Sequence, residues 1–104
     1  MKKKESEFQA GFIKELKQQF PGCYVLKNDA GYCRGIPDWL VLYGPHWAML
    51  ECKRSEAEMR TSKKKQLDQA ARVEELGQMS YSNYVYPENK EEVIHDLRRT
   101  FGLA

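Results

Sequence analysis

Residues 35–53 read GIPDWLVLYGPHWAMLECK, and this stretch decides the fold. Two apolar runs, residues 38–43 and 47–53, flank the turn-forming pair Gly44-Pro45. Short apolar runs bounded by glycine and proline are typical of β-strands, so we expect a hairpin. Both faces of both runs are mainly apolar, which is typical of strands in the middle of a sheet that is covered on both sides.

Charged residues stand at the ends of these two runs, where a strand that only builds a core would have none. Asp38 begins the first run, and Glu51 and Lys53 close the second. Glu51 and Lys53 are two residues apart, so their side chains project from one face of the strand. A two-residue loop would set Asp38 opposite Glu51, and a four-residue loop would set it opposite Lys53. A regular three-residue loop would turn Asp38 to the other face.

These three side chains would form a metal site if they converge. Two adjacent carboxylates repel each other unless a divalent cation lies between them. Oxygen ligands suit Mg²⁺ or Mn²⁺, and a neighbouring lysine can orient a water molecule for attack on a phosphodiester. The alternative is that Asp38, Glu51 and Lys53 are only charged strand ends that pair with one another. Their place on two adjacent strands, directly after Gly35-Ile36-Pro37, favours the metal site.

The spacing of apolar residues predicts the other elements. The first element is expected to be a helix whose apolar stripe consists of Phe8, Phe12, Ile13, Leu16 and Phe20. Strands follow over residues 23–26, 38–43 and 47–53. The chain then continues with a helix from Thr61 or Ser62 to Leu76, a strand over residues 79–86 and a helix over residues 90–101. This order indicates one mixed α/β domain over residues 1–104.

Composition narrows the class of protein. The chain has 104 residues, and no apolar run approaches the roughly 18 residues that cross a membrane. No signal-peptide core follows the basic start at residues 1–4, so we expect a cytoplasmic protein without a membrane partner. The three cysteines, Cys23, Cys33 and Cys52, form no CxxC pair, which indicates free thiols in a reducing compartment. Together with His46 they match no usual zinc spacing.

Charge alone neither requires nor excludes nucleic acid, because 17 basic and 15 acidic residues leave a net charge of +2. The basic residues are nevertheless clustered at residues 1–4 and 53–65. Such a stripe can contact phosphates, although a solvated helix face is the simpler explanation. The glycine-rich loop over residues 27–35 precedes Asp38 and is the element we expect to face DNA. His46 and His95 are not placed as general bases and are expected to be structural.

The stretch Gly35-Ile36-Pro37-Asp38, twelve further residues and Glu51-Cys52-Lys53 resembles the signature of the PD-(D/E)XK nucleases. Nearly the whole chain resembles their VRR-NUC branch, which contains small phage-type nucleases and relatives of Holliday-junction resolvases. The resemblance implies a restriction-endonuclease-like fold, with a mixed central sheet flanked by helices in an αβββαβ core plus a C-terminal helix. It also implies an Mg²⁺- or Mn²⁺-dependent endodeoxyribonuclease that cuts branched or junction DNA as a homodimer, without a small-molecule cofactor, in a bacterial host and possibly phage-encoded.

The resemblance also assigns roles to individual residues. Asp38 and Glu51 would bind the metal, the Cys52 main-chain carbonyl would add a ligand, and Lys53 would position the attacking water. The glycine-rich loop and the basic cluster, rather than the resemblance, supply the residues that we expect to contact DNA: Tyr32, Arg34, Arg54, Arg60, Lys63 and Lys64.

Many relatives also carry a glutamate on the first helix. Glu5 fits best as a further metal ligand, because it precedes Phe8 by three residues and Phe12 by seven, on the stripe that faces the sheet. Glu7 points off that stripe, and Glu15 lies a full helix length from the start. The alternative for Glu5 is a residue that only interacts with the helix dipole.

Family members often have a glutamine on the helix that follows the Glu-x-Lys strand. Gln69 fits best, with Val73 four and Leu76 seven residues later, and Gln66 is the second choice. Either could instead be an ordinary glutamine on a helix surface.

A different class of function is a non-catalytic nucleic-acid-binding or interaction module that retains the nuclease fold. The retention of Asp38, Glu51 and Lys53 counts against it, since binding alone does not need them together. A transferase or phosphatase lacks support, because the chain has no phosphate-cradling glycine loop and no placed nucleophile.

Overall fold

The predicted apolar runs and stripes form a four-stranded mixed sheet with four helices in the computed structural model, which describes residues 5–103. The elements are α1 (Glu5–Gln19), β1 (Tyr24–Lys27), β2 (Trp39–Tyr43), β3 (His46–Cys52), α2 (Glu56–Lys65), α3 (Leu67–Met79), β4 (Tyr81–Val85) and α4 (Lys90–Thr100). The α/β class is therefore confirmed. The basic cluster expected at residues 1–4 lies outside the described residues.

The hairpin has the two-residue loop among the alternatives above. Tyr43 pairs with His46, and Gly44-Pro45 makes the turn. Gly44 has a φ of 58°, in the left-handed region that glycine adopts without strain. The same register runs to the other end of the hairpin, where Trp39 pairs with Leu50 and Asp38 is next in line opposite Glu51.

The hairpin supplies the two central strands of the sheet, whose order is β1-β2-β3-β4. Strand β1 runs antiparallel to β2, whereas β4 runs parallel to β3. A parallel neighbour requires a crossover connection, and α2 and α3 provide it.

The main core lies on the sheet face that carries Val41, Ala48 and Leu50. Helices α1 and α4 cover this face with their apolar stripes. The cluster contains Phe8, Phe12, Leu16, Phe20, Val41, Ala48, Leu50, Cys52, Val85, Val93, Ile94, Leu97 and Phe101. The stripe of the first helix, recognised in the sequence, is thus the stripe that packs on the sheet.

The opposite face of the sheet is covered only in part. Val73 of α3 and Met59 of α2 pack on Tyr84 of β4 and on Tyr86, which follows the strand. Four apolar side chains of the hairpin on this face are only half-buried: Leu40, Leu42, Trp47 and Met49. The expectation that both faces of the hairpin are covered was therefore wrong, because α3 packs over β4 and the adjoining part of β3 and leaves the β1 side open.

The prediction that a helix begins at Thr61 or Ser62 was also wrong. Two helices occupy this part of the chain, and α2 begins at Glu56. The Ser55 hydroxyl accepts a hydrogen bond from the Glu58 amide at 3.1 Å and caps the helix. Gln66, with φ −112° and ψ 74°, separates α2 from α3.

The other boundaries differ little from the expected ones. Helix α3 continues to Met79, so β4 begins at Tyr81 rather than at residue 79. The ends of β1, β2, β3 and α4 are displaced by no more than one residue. Within residues 5–103, no helix has both the length and the apolar character needed to cross a membrane.

Candidate active site

The hairpin register brings Asp38, Glu51 and Lys53 together at one end of the central strands. The Asp38 amide donates a hydrogen bond to Glu51 Oε1 at 2.9 Å. Lys53 Nζ lies 3.5 Å from Glu51 Oε2. Glu51 and Lys53 are only 4% and 6% exposed, whereas Asp38 is half-buried at the rim. Two carboxylates and one ammonium group therefore share a partly enclosed space.

Glu51 lacks enough positive charge around it to stay fully ionised. Burial, and then the Asp38 carboxylate, raise the pKa of Glu51 to about 7. The Lys53 ammonium and the hydrogen bond from the Asp38 amide lower this pKa but do not offset the increase. A divalent cation beside the pair would supply the missing charge, and carboxylate oxygens are the ligands that Mg²⁺ and Mn²⁺ prefer.

The main-chain carbonyl of Cys52 has no backbone N–H of the neighbouring strand β2 opposite it. The Lys53 amide donates to the Val85 carbonyl at 2.9 Å, toward β4. Because successive peptide groups of a strand point to alternate sides, the Cys52 carbonyl points toward β2. Pro37 stands opposite it in the register and has no N–H to donate. The Cys52 thiol is buried in the core, so only its carbonyl can serve as a ligand.

Glu5, at the start of α1, borders the same space. Burial and the neighbouring Glu58 carboxyl raise the pKa of Glu5, while Lys53 acts on it in the opposite direction. Gln9 Nε2 donates to Glu5 Oε2 at 3.0 Å. Glu58 was not expected in the site. The pattern Ser55-x-x-Glu58, typical of a helix start, was the signal in the sequence that could have placed it there.

The alternative first-helix glutamates lie elsewhere. Glu15 accepts a hydrogen bond from Lys90 Nζ at 3.0 Å, at the far end of α1. Glu7 is exposed on the helix surface.

Lys27 is a second residue that the sequence did not predict. Its Nζ lies 3.3 Å from Asp38 Oδ1 and 4.9 Å from the centroid of the Trp39 ring. Lys27 reaches Asp38 because β1 pairs with β2 so that Lys27 stands opposite Trp39.

A cleft of about 570 Å³ opens beside Asp38. Its walls are the loop before β2 and the junction of α2 and α3, and its lining residues are Ala30, Arg34, Gly35, Ile36, Asp38, Lys65, Gln66, Leu67, Asp68 and Gln69. Gln69 Oε1 is buried and has no hydrogen-bond partner among the described residues. Gln66 lines the same cleft but is exposed.

The loop that forms one wall of the cleft is held against the start of α3. Arg34 Nε lies 2.7 Å from Asp68 Oδ2. Gly35 has a φ of 81°, and a Cβ atom there would lie 2.7 Å from the Asp68 carbonyl oxygen. Only glycine therefore allows this loop to approach the helix so closely.

The side chains expected to contact DNA surround this cleft and α2. Each of the three arginines is paired with a carboxylate: Arg34 with Asp68, Arg54 with Glu58, and Arg60 with Glu56. Lys63 Nζ lies 5.6 Å from the centroid of the Tyr84 ring, and Lys64 is exposed. Tyr32, at the tip of the loop, is 94% exposed.

Among residues 5–103, no three or more His, Cys, Asp or Glu side chains are grouped in a way that could hold a metal ion, so Asp38 and Glu51 stand as a pair of carboxylates. Cys23, Cys33 and Cys52 are free cysteines. His46 stacks on Phe101, with ring centroids 6.2 Å apart, and His95 is exposed on α4.

Comparisons with known proteins give no relative for this chain. No protein-family model, no curated protein and no solved structure matches it. The function of the site must therefore be inferred from its own residues.

Proposed function

We propose that this chain is an Mg²⁺- or Mn²⁺-dependent endodeoxyribonuclease with the restriction-endonuclease-like fold of the PD-(D/E)XK enzymes. The observation that supports the proposal most strongly is the hairpin register. It brings Asp38 to Glu51, thirteen residues away in the chain, and adds the buried Lys53 from the same strand face. Paired strand ends without a function would account for the Glu51–Lys53 ion pair, but not for the Asp38 carboxylate beside a buried Glu51 that it repels.

The donor groups fit a hard divalent cation. Asp38 and Glu51 would hold it with their carboxylates, and the Cys52 carbonyl would provide a third oxygen. Glu5 borders the site and would reach the cation through a water molecule. The bound cation would supply a water molecule of lowered pKa and would neutralise charge on the scissile phosphate.

Lys53 and Gln69 would act on the substrate side of the site. The Lys53 ammonium is buried beside Glu51, where it can orient the attacking water and offset negative charge that develops on the phosphate. The unpaired Gln69 Oε1 offers an acceptor for an ordered water in the cleft. The cleft beside Asp38 would receive the DNA backbone, and Tyr32, Lys63 and Lys64 would contact it from the rim.

We further propose that the substrate is branched or junction DNA and that the enzyme acts as a homodimer in a bacterial cytoplasm, encoded by the host or by a phage. The cleft of about 570 Å³ is small compared with a duplex, so one chain offers little surface to grip it. A second copy would present a second cleft. Tyr24 and Leu26 of β1, which are 68% and 44% exposed, provide apolar surface for such a contact.

The direct test is cleavage of a supercoiled plasmid and of a four-way junction, in Mg²⁺ or Mn²⁺ and in EDTA. We expect the wild-type protein to cut in either metal ion and not in EDTA. Glu51→Gln should abolish cutting, and Lys53→Met should reduce the rate by about 100- to 1,000-fold, the size expected when a charge-stabilising group is lost.

Glu15→Gln is the matched control, because it changes a partly buried glutamate that pairs with Lys90 away from the site. This variant should cut like the wild-type protein. Equal nicking by Glu51→Gln and the wild type would contradict the proposal. DNA that is bound but left intact in every metal ion would instead support the non-catalytic module.

A further inference from the structure

Tyr84 stands beside Glu51 on the neighbouring strand. The parallel register of β3 and β4 pairs these two residues, so both side chains project from the same face of the sheet. Tyr84 is 2% exposed, and its ring packs against Val73 of α3. The Lys63 ammonium lies over the ring, 5.6 Å from its centroid.

The hydroxyl of Tyr84 is buried without a hydrogen-bond partner among residues 5–103. Buried hydroxyls in folded proteins almost always have a partner, from the protein or from ordered water. Burial, and then the charge of Glu51, raise the pKa of Tyr84, so the hydroxyl keeps its proton and is a donor.

Gln69 provides an acceptor on the same side of the sheet. Its Oε1 is buried without a partner in the described chain, as is the Ser82 hydroxyl, which lines the same cavity as Tyr84. Gln69 precedes Val73 by four residues on α3, so both residues lie on the helix face that packs over Tyr84. An ordered water molecule requires two to four polar partners, and Tyr84, Gln69 and Glu51 can supply them.

We propose that Tyr84 is a positioning residue for Glu51: its hydroxyl holds the Glu51 carboxylate through one ordered water molecule and thereby sets the affinity of the site for a divalent cation. This inference rests on the proposed function, because it assumes that Glu51 is a metal ligand. Groups that orient a metal ligand from outside the coordination shell typically change metal affinity by about 10- to 100-fold.

The other tyrosines of this region do not share the arrangement. The Tyr81 hydroxyl bonds Asp96 Oδ2 at 2.9 Å, on the far side of β4 from Glu51. Tyr86 belongs to the same apolar cluster as Tyr84, but the carboxylates that act on it are Glu56, Glu88 and Glu92, not Glu51. Tyr86 is therefore a matched control for the loss of a tyrosine hydroxyl.

The experiment measures Mn²⁺ binding by the full chain without DNA, by calorimetry and by the electron paramagnetic resonance signal of free Mn²⁺. Tyr84→Phe keeps the ring and removes the hydroxyl. We expect its dissociation constant for Mn²⁺ to rise by about tenfold or more, while Tyr86→Phe binds like the wild type. Raising the Mn²⁺ concentration should restore DNA cleavage by Tyr84→Phe.

Urea unfolding in EDTA separates a positioning role from a structural one. Because the hydroxyl has no direct partner among residues 5–103, Tyr84→Phe should shift the unfolding midpoint no more than Tyr86→Phe does. A midpoint far below that of Tyr86→Phe, together with unchanged Mn²⁺ affinity, would show that the hydroxyl bonds the fold and would overturn the inference. Unchanged Mn²⁺ affinity in Tyr84→Phe would overturn it as well, with the proposed function intact. A wild-type protein that binds no Mn²⁺ would instead refute the proposed function itself.

Discussion

Glu51 is a buried carboxyl group whose surroundings favour its neutral form. It is buried, it accepts the Asp38 amide, and it lies near the carboxylate of Asp38 and the ammonium of Lys53. Burial and Asp38 favour the neutral acid, which is why the pKa of Glu51 rises to about 7. Without a cation, the folded chain therefore holds a proton near neutral pH that the unfolded chain has already released.

This proton predicts how stability depends on pH. The pKa of Glu51 is about 7 in the folded chain and 4.5 as the ordinary value, so its neutral form favours folding. The contribution is complete below pH 4.5 and is lost as pH rises through 7, for a decrease of up to about 3 kcal/mol. Urea unfolding in EDTA between pH 5 and 8 should show this decrease in the wild type, relative to a flatter profile in Glu51→Gln. Parallel profiles for the two proteins would contradict the raised pKa.

Asp38→Asn should separate metal binding from folding. The substitution removes one proposed metal ligand together with the charge that repels Glu51, while the amide that bonds Glu51 remains. The ion pair with Lys27 is largely exposed and is worth less than about 1 kcal/mol. We therefore expect weaker Mn²⁺ binding and slower cleavage with little change in the free energy of unfolding. A variant that fails to fold would identify Asp38 as a structural cap instead.

At the scale of elements, the start of α2 positions two groups near the site. Ser55 caps the helix, and the first turn then places Glu58 next to Glu5. The last turn places Lys63 over the ring of Tyr84. The cap fixes where α2 begins, and the length of the helix then determines where Lys63 meets Tyr84.

Ser55→Ala should lower the free energy of unfolding by about 1 kcal/mol, the usual value of a helix N-cap. Thr61→Ala is the control, because Thr61 lies inside α2 and its hydroxyl bonds only the Ala57 carbonyl of the preceding turn. Urea unfolding of both variants measures the difference. A larger loss in Thr61→Ala than in Ser55→Ala would place the start of the helix where the sequence suggested it.

The sequence predicted the elements whose positions follow from the spacing of apolar residues along the chain. The hairpin, the apolar stripe of α1 and the position of Glu5 on that stripe all follow from periods of two and 3.6 residues. The loop length was left open, because a glycine-proline pair does not determine how many residues form the turn. The break at Gln66 carries no glycine or proline to indicate it.

Residues that enter the site through long-range pairing could not be predicted in this way. Lys27 reaches Asp38 only because β1 pairs with β2, and Tyr84 reaches Glu51 only because β4 runs parallel to β3. Strand order and register between distant segments depend on the packing of the whole sheet. Glu58 is different, since its helix-start pattern Ser55-x-x-Glu58 was present in the sequence.

At the scale of the whole molecule, the two edges of the sheet differ. The edge at β4 is closed by side chains: Asn89 accepts the Tyr86 amide at 2.8 Å and donates to the Tyr84 carbonyl at 2.9 Å. The Asn28 amide donates to the Asp38 carbonyl, so the peptide groups of Val25 and Lys27 point away from β2. Among the described residues none bonds them, and β1 is the edge open to another strand.

The proposed homodimer should therefore depend on β1. We expect the wild-type protein to sediment as a dimer and Leu26→Lys to sediment as a folded monomer, because a charge would enter the apolar surface beside the open edge. Met79→Lys is the control, since Met79 is an exposed apolar residue at the end of α3. A monomeric wild-type protein, or a dimer that Leu26→Lys leaves intact, would contradict this arrangement.

The turn at Gly44-Pro45 contains no chemically active group, yet its length determines whether Asp38 stands opposite Glu51. One residue gained or lost there would exchange inward and outward side chains along one strand relative to the other. Trp39 would then occupy the place of Asp38, and Val41 would leave the interior. Insertions in other surface loops can accumulate during evolution without such damage, whereas this turn tolerates changes of residue type far better than changes of length.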